Sequence, residues 1–181
     1  MGFDGSAVLA GVAPGTLEIF SVNMKSWLPD AGTPSLLYRM TSDGTSTSEF
    51  HSRCDGKGPT VVLIRSDNGF VFGGYADKPW HSEGKYIACD KSFIFTVCNP
   101  HGIPPTRYLV NSPAHALYGD ASCGPTFGCD AITVGMGGYL TDGCCTPFFD
   151  YTDTTGKGAA TFTGAAHPGP FTPAEVEVWR V

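Results

Sequence analysis

The residues that could do chemistry are few, and one pair stands out by spacing. His51 and Cys54 lie three positions apart in Phe50-His51-Ser52-Arg53-Cys54-Asp55. On a helix that spacing places both side chains within one turn, the proximity a thiolate–imidazolium nucleophile needs. Catalytic pairs usually come from different elements, so that the nucleophile projects into a cleft while its base approaches from the side. The competing reading packs Cys54 inward and leaves His51 in solvent. The five histidines (His51, His81, His101, His115 and His167) are scattered, no Cys-x-x-Cys pair exists, and Cys123-x₅-Cys129 is too loose for a structural zinc, so no metal is expected. Asp67-Asn68-Gly69 lacks the acidic ligands that a calcium loop would place after it. Gly135-Met136-Gly137-Gly138 lacks the last glycine of a dinucleotide fingerprint and reads as a turn. No Walker loop and no Gly-x-Ser-x-Gly elbow is present, and no cofactor is expected. Asp142, Asp150 and Asp153 lie in a Gly/Thr-rich stretch from Thr141 to Ala160. Such a loop could hold a sugar or calcium in a binding sandwich, or could be a solvated connection.

Seven cysteines (54, 89, 98, 123, 129, 144 and 145) make an odd set, and no Asn-x-Ser/Thr acceptor occurs. Adjacent Cys144 and Cys145 have the wrong geometry for bonding each other. The pattern reads as a reduced, cytoplasmic protein with buried thiols. It leaves a thiol-based alternative, in which Cys54, Cys98 or the Cys144-Cys145 pair scavenges or senses oxidant, provided a thiolate is accessible.

These groups must be held by a β-rich scaffold. Of 181 residues, 41% are hydrophobic and 12% aromatic, enough for a core and against wholesale disorder. Eleven Lys and Arg against 17 Asp and Glu give a net charge of −6 with no basic run, which argues against nucleic acid and anionic lipid as partners. Glycine (24) and proline (14) are abundant, favouring short strands and many turns over a helical bundle. No window approaches 18 unbroken apolar residues, so no membrane insertion is expected. The first residues do not form a secretory signal. Met1-Gly2 with Ser6 fits the myristoylation pattern formally, although Phe3 and Asp4 suit the acceptor glycine poorly.

Along the chain, Leu17, Phe20, Met24, Trp27 and Leu28 recur at helical spacing, predicting a helix over Thr16–Leu28 that Pro29 closes. Leu36–Arg39 reads as a strand and Asp43-Gly44-Thr45-Ser46 as a turn. Ser46-Thr47-Ser48-Glu49 is a capping box opening a second helix that carries Phe50 and Cys54 on one face and stops at Gly56. Thr60–Arg65 and Phe70–Tyr75 flank Asp67-Asn68-Gly69, a hairpin signal whose two central residues should have positive φ. The nearly continuous apolar run at 60–65 predicts a strand covered on both faces. Further strands are predicted at 92–97, 107–110, 116–118, 131–134 and 175–181. Without repeats or linkers, the chain reads as a single domain.

The ordered set Trp27-Leu28-Pro29, Leu36-Leu37-Tyr38-Arg39, Asp43-Gly44, Phe50-His51-x-x-Cys54-Asp55 and Gly58-Pro59-Thr60 resembles the opening half of a TLDc domain. The similarity continues through Phe72-Gly73-Gly74-Tyr75, Pro79-Trp80, Ser92-Phe93-Ile94-Phe95, Gly124-Pro125-Thr126-Phe127-Gly128 and Val176-Glu177-Val178-Trp179. It implies a mainly β fold with short helices, two antiparallel sheets packed as a β-sandwich over residues 27–181, preceded by an N-terminal segment, residues 1–26, with a short helix. The family includes oxidation-resistance proteins, a nuclear receptor coactivator and a Rab-GAP-like protein. The resemblance therefore implies a monomeric, non-catalytic protein–protein interaction domain that binds subunits of the cytosolic (V1) sector of the V-ATPase and is linked to oxidative-stress protection. No catalytic residue carries over. Asp43, Gly44, Phe50, Cys54, Asp55, Gly73, Gly74, Thr126, Phe127, Gly128 and Glu177 transfer as architecture. Gly73 and Gly74 would allow close approach of strands, and Phe127 would sit in the core beside a tight bend. Glu177 is either a solvent-facing strand residue or a buried partner of an arginine.

Overall fold

The computed structural model describes residues 1–181. Helix α1 (Pro14–Trp27) leads to strand β1 (Ser35–Arg39), a single helical turn α2 (Met40–Asp43) and helix α3 (Thr47–Cys54). Nine strands follow: β2 (Thr60–Ser66), β3 (Val71–Ala76), β4 (Glu83–Ile87), β5 (Phe93–Cys98), β6 (Thr106–Leu109), β7 (Leu117–Asp120), β8 (Thr126–Phe127), β9 (Ile132–Thr133) and β10 (Pro173–Arg180). One antiparallel sheet has six strands in the order β1-β10-β2-β3-β5-β6, and the other has four in the order β4-β7-β8-β9. The chain thus adopts the expected mainly β architecture of two antiparallel sheets in a sandwich.

Alternation along the strands separates two apolar layers. Val62, Ile64, Phe72, Ile94, Tyr108, Val176 and Val178 face inward and meet Leu117, Phe127, Ile132 and Val134 of the smaller sheet in a 25-residue core. Val61, Leu63, Val71, Tyr75, Phe93, Phe95 and Trp179 face the other way, into a 14-residue cluster built with Phe3, Val8, Val12, Phe20, Met24 and Leu28. All four of Val61–Ile64 are fully buried, as the two-sided apolar run requires. Charged Glu175 and Glu177 are buried too, Glu177 beneath Ser6 and Ala7 and Glu175 against α2.

Two adjacent glycines allow close approach, Gly73 to the neighbouring strand β2 and Gly74 to the facing sheet. A Cβ on Gly73 would lie 1.9 Å from the carbonyl oxygen of Val62, and one on Gly74 would lie 2.5 Å from the ring of Phe127. That ring is fully buried and meets Trp80 edge-on at 5.5 Å, while Thr126 is buried beside it and Gly128 turns the chain at φ 68°.

Several local features differ from expectation. The first helix begins at Pro14, whose missing N–H costs nothing in the first turn, so Gly15 and Thr16 lie inside it. Only Gly69 of the Asn-Gly hairpin has positive φ, at 86°. Asp67-Asn68-Gly69 form a three-residue loop closed by Ser66 N–H to Phe70 O (3.0 Å) and Gly69 N–H to Ser66 O (2.9 Å), a turn whose last residue alone needs the left-handed conformation. The Ser46 hydroxyl accepts from the Glu49 amide (3.3 Å), but the Glu49 carboxylate turns to Arg53 (3.6 Å) rather than back to Ser46. Strand β4 carries no apolar alternation, and β8 and β9 are two residues each.

Candidate functional site

Strand β10 runs between β1 and β2, one strand in from the edge, so its outward side chains are flanked by neighbours on both sides. Glu177 is fully buried there. Its Oε1 accepts from the Ala7 amide (2.8 Å) and from Arg39 Nε (2.9 Å) and Nη2 (2.8 Å). Its Oε2 accepts from the Ser6 hydroxyl (2.5 Å) and from Trp179 Nε1 (3.1 Å). Charge and hydrogen bonds compensate the desolvation that would otherwise make this carboxylate costly. Arg39 bridges onward to the Gly5 carbonyl (2.7 Å), and Arg65 donates to the carbonyls of Val8, from Nε at 2.9 Å, and Ala10. Phe3 stacks on Phe20 (6.2 Å) and stands edge-on to Trp179 (5.6 Å), while Val8 is fully buried. Residues 1–12 therefore form a strap across β10 and β2. Sequence reasoning gave this segment no role, since it has no periodicity of its own. The available signal was Trp179 beside Glu175 and Glu177, an outward strand face that cannot be open to water.

The same strand holds α2. Glu175 accepts from the Thr41 amide (3.1 Å), the Thr41 hydroxyl and the Val176 amide (3.0 Å). Asp43 accepts from the Arg39 amide (2.8 Å) and faces Arg53 at 3.4 Å, and Gly44, at φ 107°, takes the Tyr38 hydroxyl on its carbonyl (2.6 Å).

His51 is not in solvent, contrary to the reading that left it there. It is 8% exposed, with Nδ1 2.8 Å from Asp55 Oδ1 and Nε2 against the carbonyls of Asp120 (2.8 Å) and Cys123 (2.9 Å). Asp55 also accepts from the Ser82 hydroxyl. Serine, aspartate and histidine are thus in contact, but the hydroxyl reaches the carboxylate rather than the imidazole, and Nε2 is committed to carbonyl oxygens. The arrangement ties α3 to the smaller sheet and carries no activated nucleophile. Phe50 packs on Tyr38 and Trp80 beside it.

The thiols are mostly inside. Burial pushes Cys54 up to about 12 and Cys144 up to about 11, and raises Cys98 and Cys145 in the same direction. Cys129 is the exposed one; its sulfur accepts from the Tyr86 hydroxyl (3.1 Å), a bond that, with burial, pushes Tyr86 up to about 12. In the Thr141–Ala160 stretch, burial works against the charged form of Asp153. Hydrogen bonds from the Gly158, Thr155 and Gly156 amides and the Thr155 hydroxyl nevertheless hold its pKa below the ordinary carboxylate value. Asp150 accepts from the Cys129 amide (2.7 Å), and the Asp142 carboxylate takes the Thr141 hydroxyl (3.1 Å). No group of three or more His, Cys, Asp or Glu side chains converges as metal ligands would.

Eight large hydrophobic side chains are open to solvent, among them Val22 on α1 and Leu109 on β6. Met136, Tyr139 and Phe149 are about half exposed, at 49%, 55% and 53%. A cleft of about 500 Å³ also opens beside β6, where the Arg107 guanidinium lies over Trp27 (5.7 Å) and Phe93 (5.6 Å).

Residues 19–181 match the TLDc domain family. Among curated proteins, the chain is 35% identical over 88 residues to "TBC1 domain family member 24" of Xenopus laevis, covering 45% of this chain and 16% of that protein. It is 32% identical over 62 residues to "MTOR-associated protein MEAK7" of Gallus gallus (34% and 13%) and 29% identical over 90 residues to "GTPase-activating protein skywalker" of Drosophila melanogaster (43% and 15%). The alignments thus span well under a fifth of these relatives' own length. No helix is long and apolar enough to cross a membrane. With the family pattern running from α1 through β10, the chain belongs to the TLDc domain family.

Proposed function

We propose that the chain is a non-catalytic interaction domain that docks, in the cytoplasm, on the V1 sector of the V-ATPase and through it contributes to oxidative-stress protection. One observation carries the reading as a binding module. The titratable side chains that could do chemistry are bonded into the fold, while Met136, Tyr139 and Phe149 stand half exposed on the 135–150 loops. Methionine and large aromatics are enriched at protein interfaces; aromatics bury much area at little rotamer cost, and methionine adapts its shape to a partner. The loop that carries Met136 and Tyr139 is pinned by Met136 N–H to Asp142 O (2.7 Å), Leu140 N–H to Thr45 O (2.8 Å) and Cys145 N–H to Thr133 O (3.2 Å), so those two are presented on a fixed backbone. Family membership supports the pump as the partner, by resemblance.

The test is direct binding of the purified chain to isolated V1 by interferometry, with Tyr139→Ala and Phe149→Ala as paired variants. Saturable binding that both variants weaken at least about tenfold is expected, as for interface anchors. A folded chain that fails to bind V1 across a range of salt concentrations overturns the assignment.

A further inference from the structure

The strap and the sheet beneath it differ in kind. The groups that grip the strap (Arg39, Arg65, Glu177, Trp179 and Phe20) all lie within residues 19–181, the part matched to the family, whereas the strap lies wholly before it. Most polar contacts reach its main chain. Arg39 takes the Gly5 carbonyl, Arg65 takes the Val8 and Ala10 carbonyls, and Glu177 takes the Ala7 amide. The strap itself is a run of turns, with Ser6 N–H on Phe3 O (3.1 Å), Val12 N–H on Leu9 O (3.1 Å) and Gly5 and Gly11 at positive φ, and it is held mainly by its backbone, with a few side-chain seats adding selectivity. Here those side chains are Phe3 on Phe20 and Trp179, Ser6 on Glu177, and Val8, fully buried. At one end a cleft of about 310 Å³ opens between the strap and α1, while the Ser21 hydroxyl donates to the Met1 carbonyl (2.8 Å) beside it. Without an occupant, Glu177 keeps Arg39 and Trp179 but loses a hydroxyl and an amide donor, so the site is complete only when a chain segment offers both.

We propose that the groove over β10 and β2 is a peptide-binding site, occupied in cis by residues 1–12, that takes a turn-forming segment of a partner protein in exchange. The segment it fits carries an aromatic residue, serine or threonine three positions later, and a β-branched apolar residue two positions after that, the pattern of Phe3, Ser6 and Val8. The site deepens the reading of the chain as an interaction domain without depending on the pump as partner.

The full chain tests this. Val8→Asp places a carboxylate in a fully buried apolar seat and should release the strap. Release is read by faster hydrogen exchange of the Ala7 and Leu9 amides. A fluorescein-labelled peptide of residues 1–12 with the native sequence is then titrated and followed by anisotropy. Val8→Asp should bind it saturably, and adding Arg65→Met should weaken binding by about tenfold or more through loss of two carbonyl contacts. The native chain should bind it far more weakly, because the tethered copy competes at an effective concentration on the order of millimolar. If Val8→Asp unfolds the chain, Ser6→Asp, which sets a second carboxylate against Glu177, replaces it. A folded variant with exchanging strap amides and no peptide binding overturns the proposal, as does binding that Arg65→Met leaves unchanged. Dimers of the native chain that exchange straps, seen by light scattering, would overturn the partner segment in favour of a second copy. No pump component enters the measurement, so failure here and failure to bind V1 are separate results.

Discussion

Replacing Glu177 with glutamine keeps its shape and removes its charge, so the cost can be worked from its partners. The glutamine oxygen placed at Oε1 still accepts from the Ala7 amide and from Arg39. The amide nitrogen then occupies the Oε2 position, where it can donate to the Ser6 hydroxyl but faces the indole N–H of Trp179, 3.1 Å away in the native structure. Two donors oppose each other, leaving a buried indole N–H unsatisfied at about 1–3 kcal/mol. Loss of the ion pair with Arg39 adds about 1 kcal/mol or less, since the Arg39 side chain is 24% exposed and water takes up part of its charge. The sum is about 3 kcal/mol. At about 2–4 °C per kcal/mol for a domain of this size, Tm should fall by roughly 6–12 °C. Urea unfolding followed by tryptophan fluorescence and a calorimetric melt would measure both. Glu83→Gln, whose partner Lys85 is exposed, serves as a control and should change nothing measurable. A Glu177→Gln variant within about 0.5 kcal/mol of the native chain, the range typical of surface substitutions, would refute the account of the strap and the buried pair together.

Gly73→Ala should prevent soluble expression or lower stability by more than about 4 kcal/mol, since the new Cβ would meet the Val62 backbone carbonyl at 1.9 Å rather than a side chain able to swing away; a folded variant with native circular dichroism and unchanged urea midpoint would contradict it. The thiols predict an alkaline limit. Cys54 titrates near 9 when unfolded and near 12 when folded, so the folded state holds this proton more tightly; its contribution is complete below pH 9 and lost as pH rises from 9 to 12, up to about 4 kcal/mol, and urea midpoints should fall over that window and recover part of the loss in Cys54→Ser relative to its own value at pH 8.

How much of this was legible depends on the range of the interactions. The two-faced strand at Val61–Ile64 and the Ser46 cap were readable because neighbouring residues determine them. The Asp67-Asn68-Gly69 turn was placed correctly, but its conformation was not, because the three-residue loop needs only Gly69 at positive φ. His51 was misplaced because the carbonyls that hold it belong to Asp120 and Cys123, about 70 residues away in the chain. The strap was invisible for the same reason. Ser6 and Ala7 acquire meaning only when Glu177, 171 and 170 positions later, is set beside them. Strand β4 went unread because most of its side chains are exposed and leave no alternation to find.

The position of β10 has a kinetic consequence. Residues 173–180 do not extend an edge; they fill a slot between β1 (35–39) and β2 (60–66), so the larger sheet is closed by contacts that span more than a hundred residues. Such long-range pairing must overcome loop-closure entropy before it yields contact energy, which places the rate-limiting event late and makes folding slow for the size of the chain. As the polypeptide leaves the ribosome, β2 has an unpaired apolar edge until the final strand emerges. Throughout that interval the unpaired edge is open to edge-to-edge pairing with other chains.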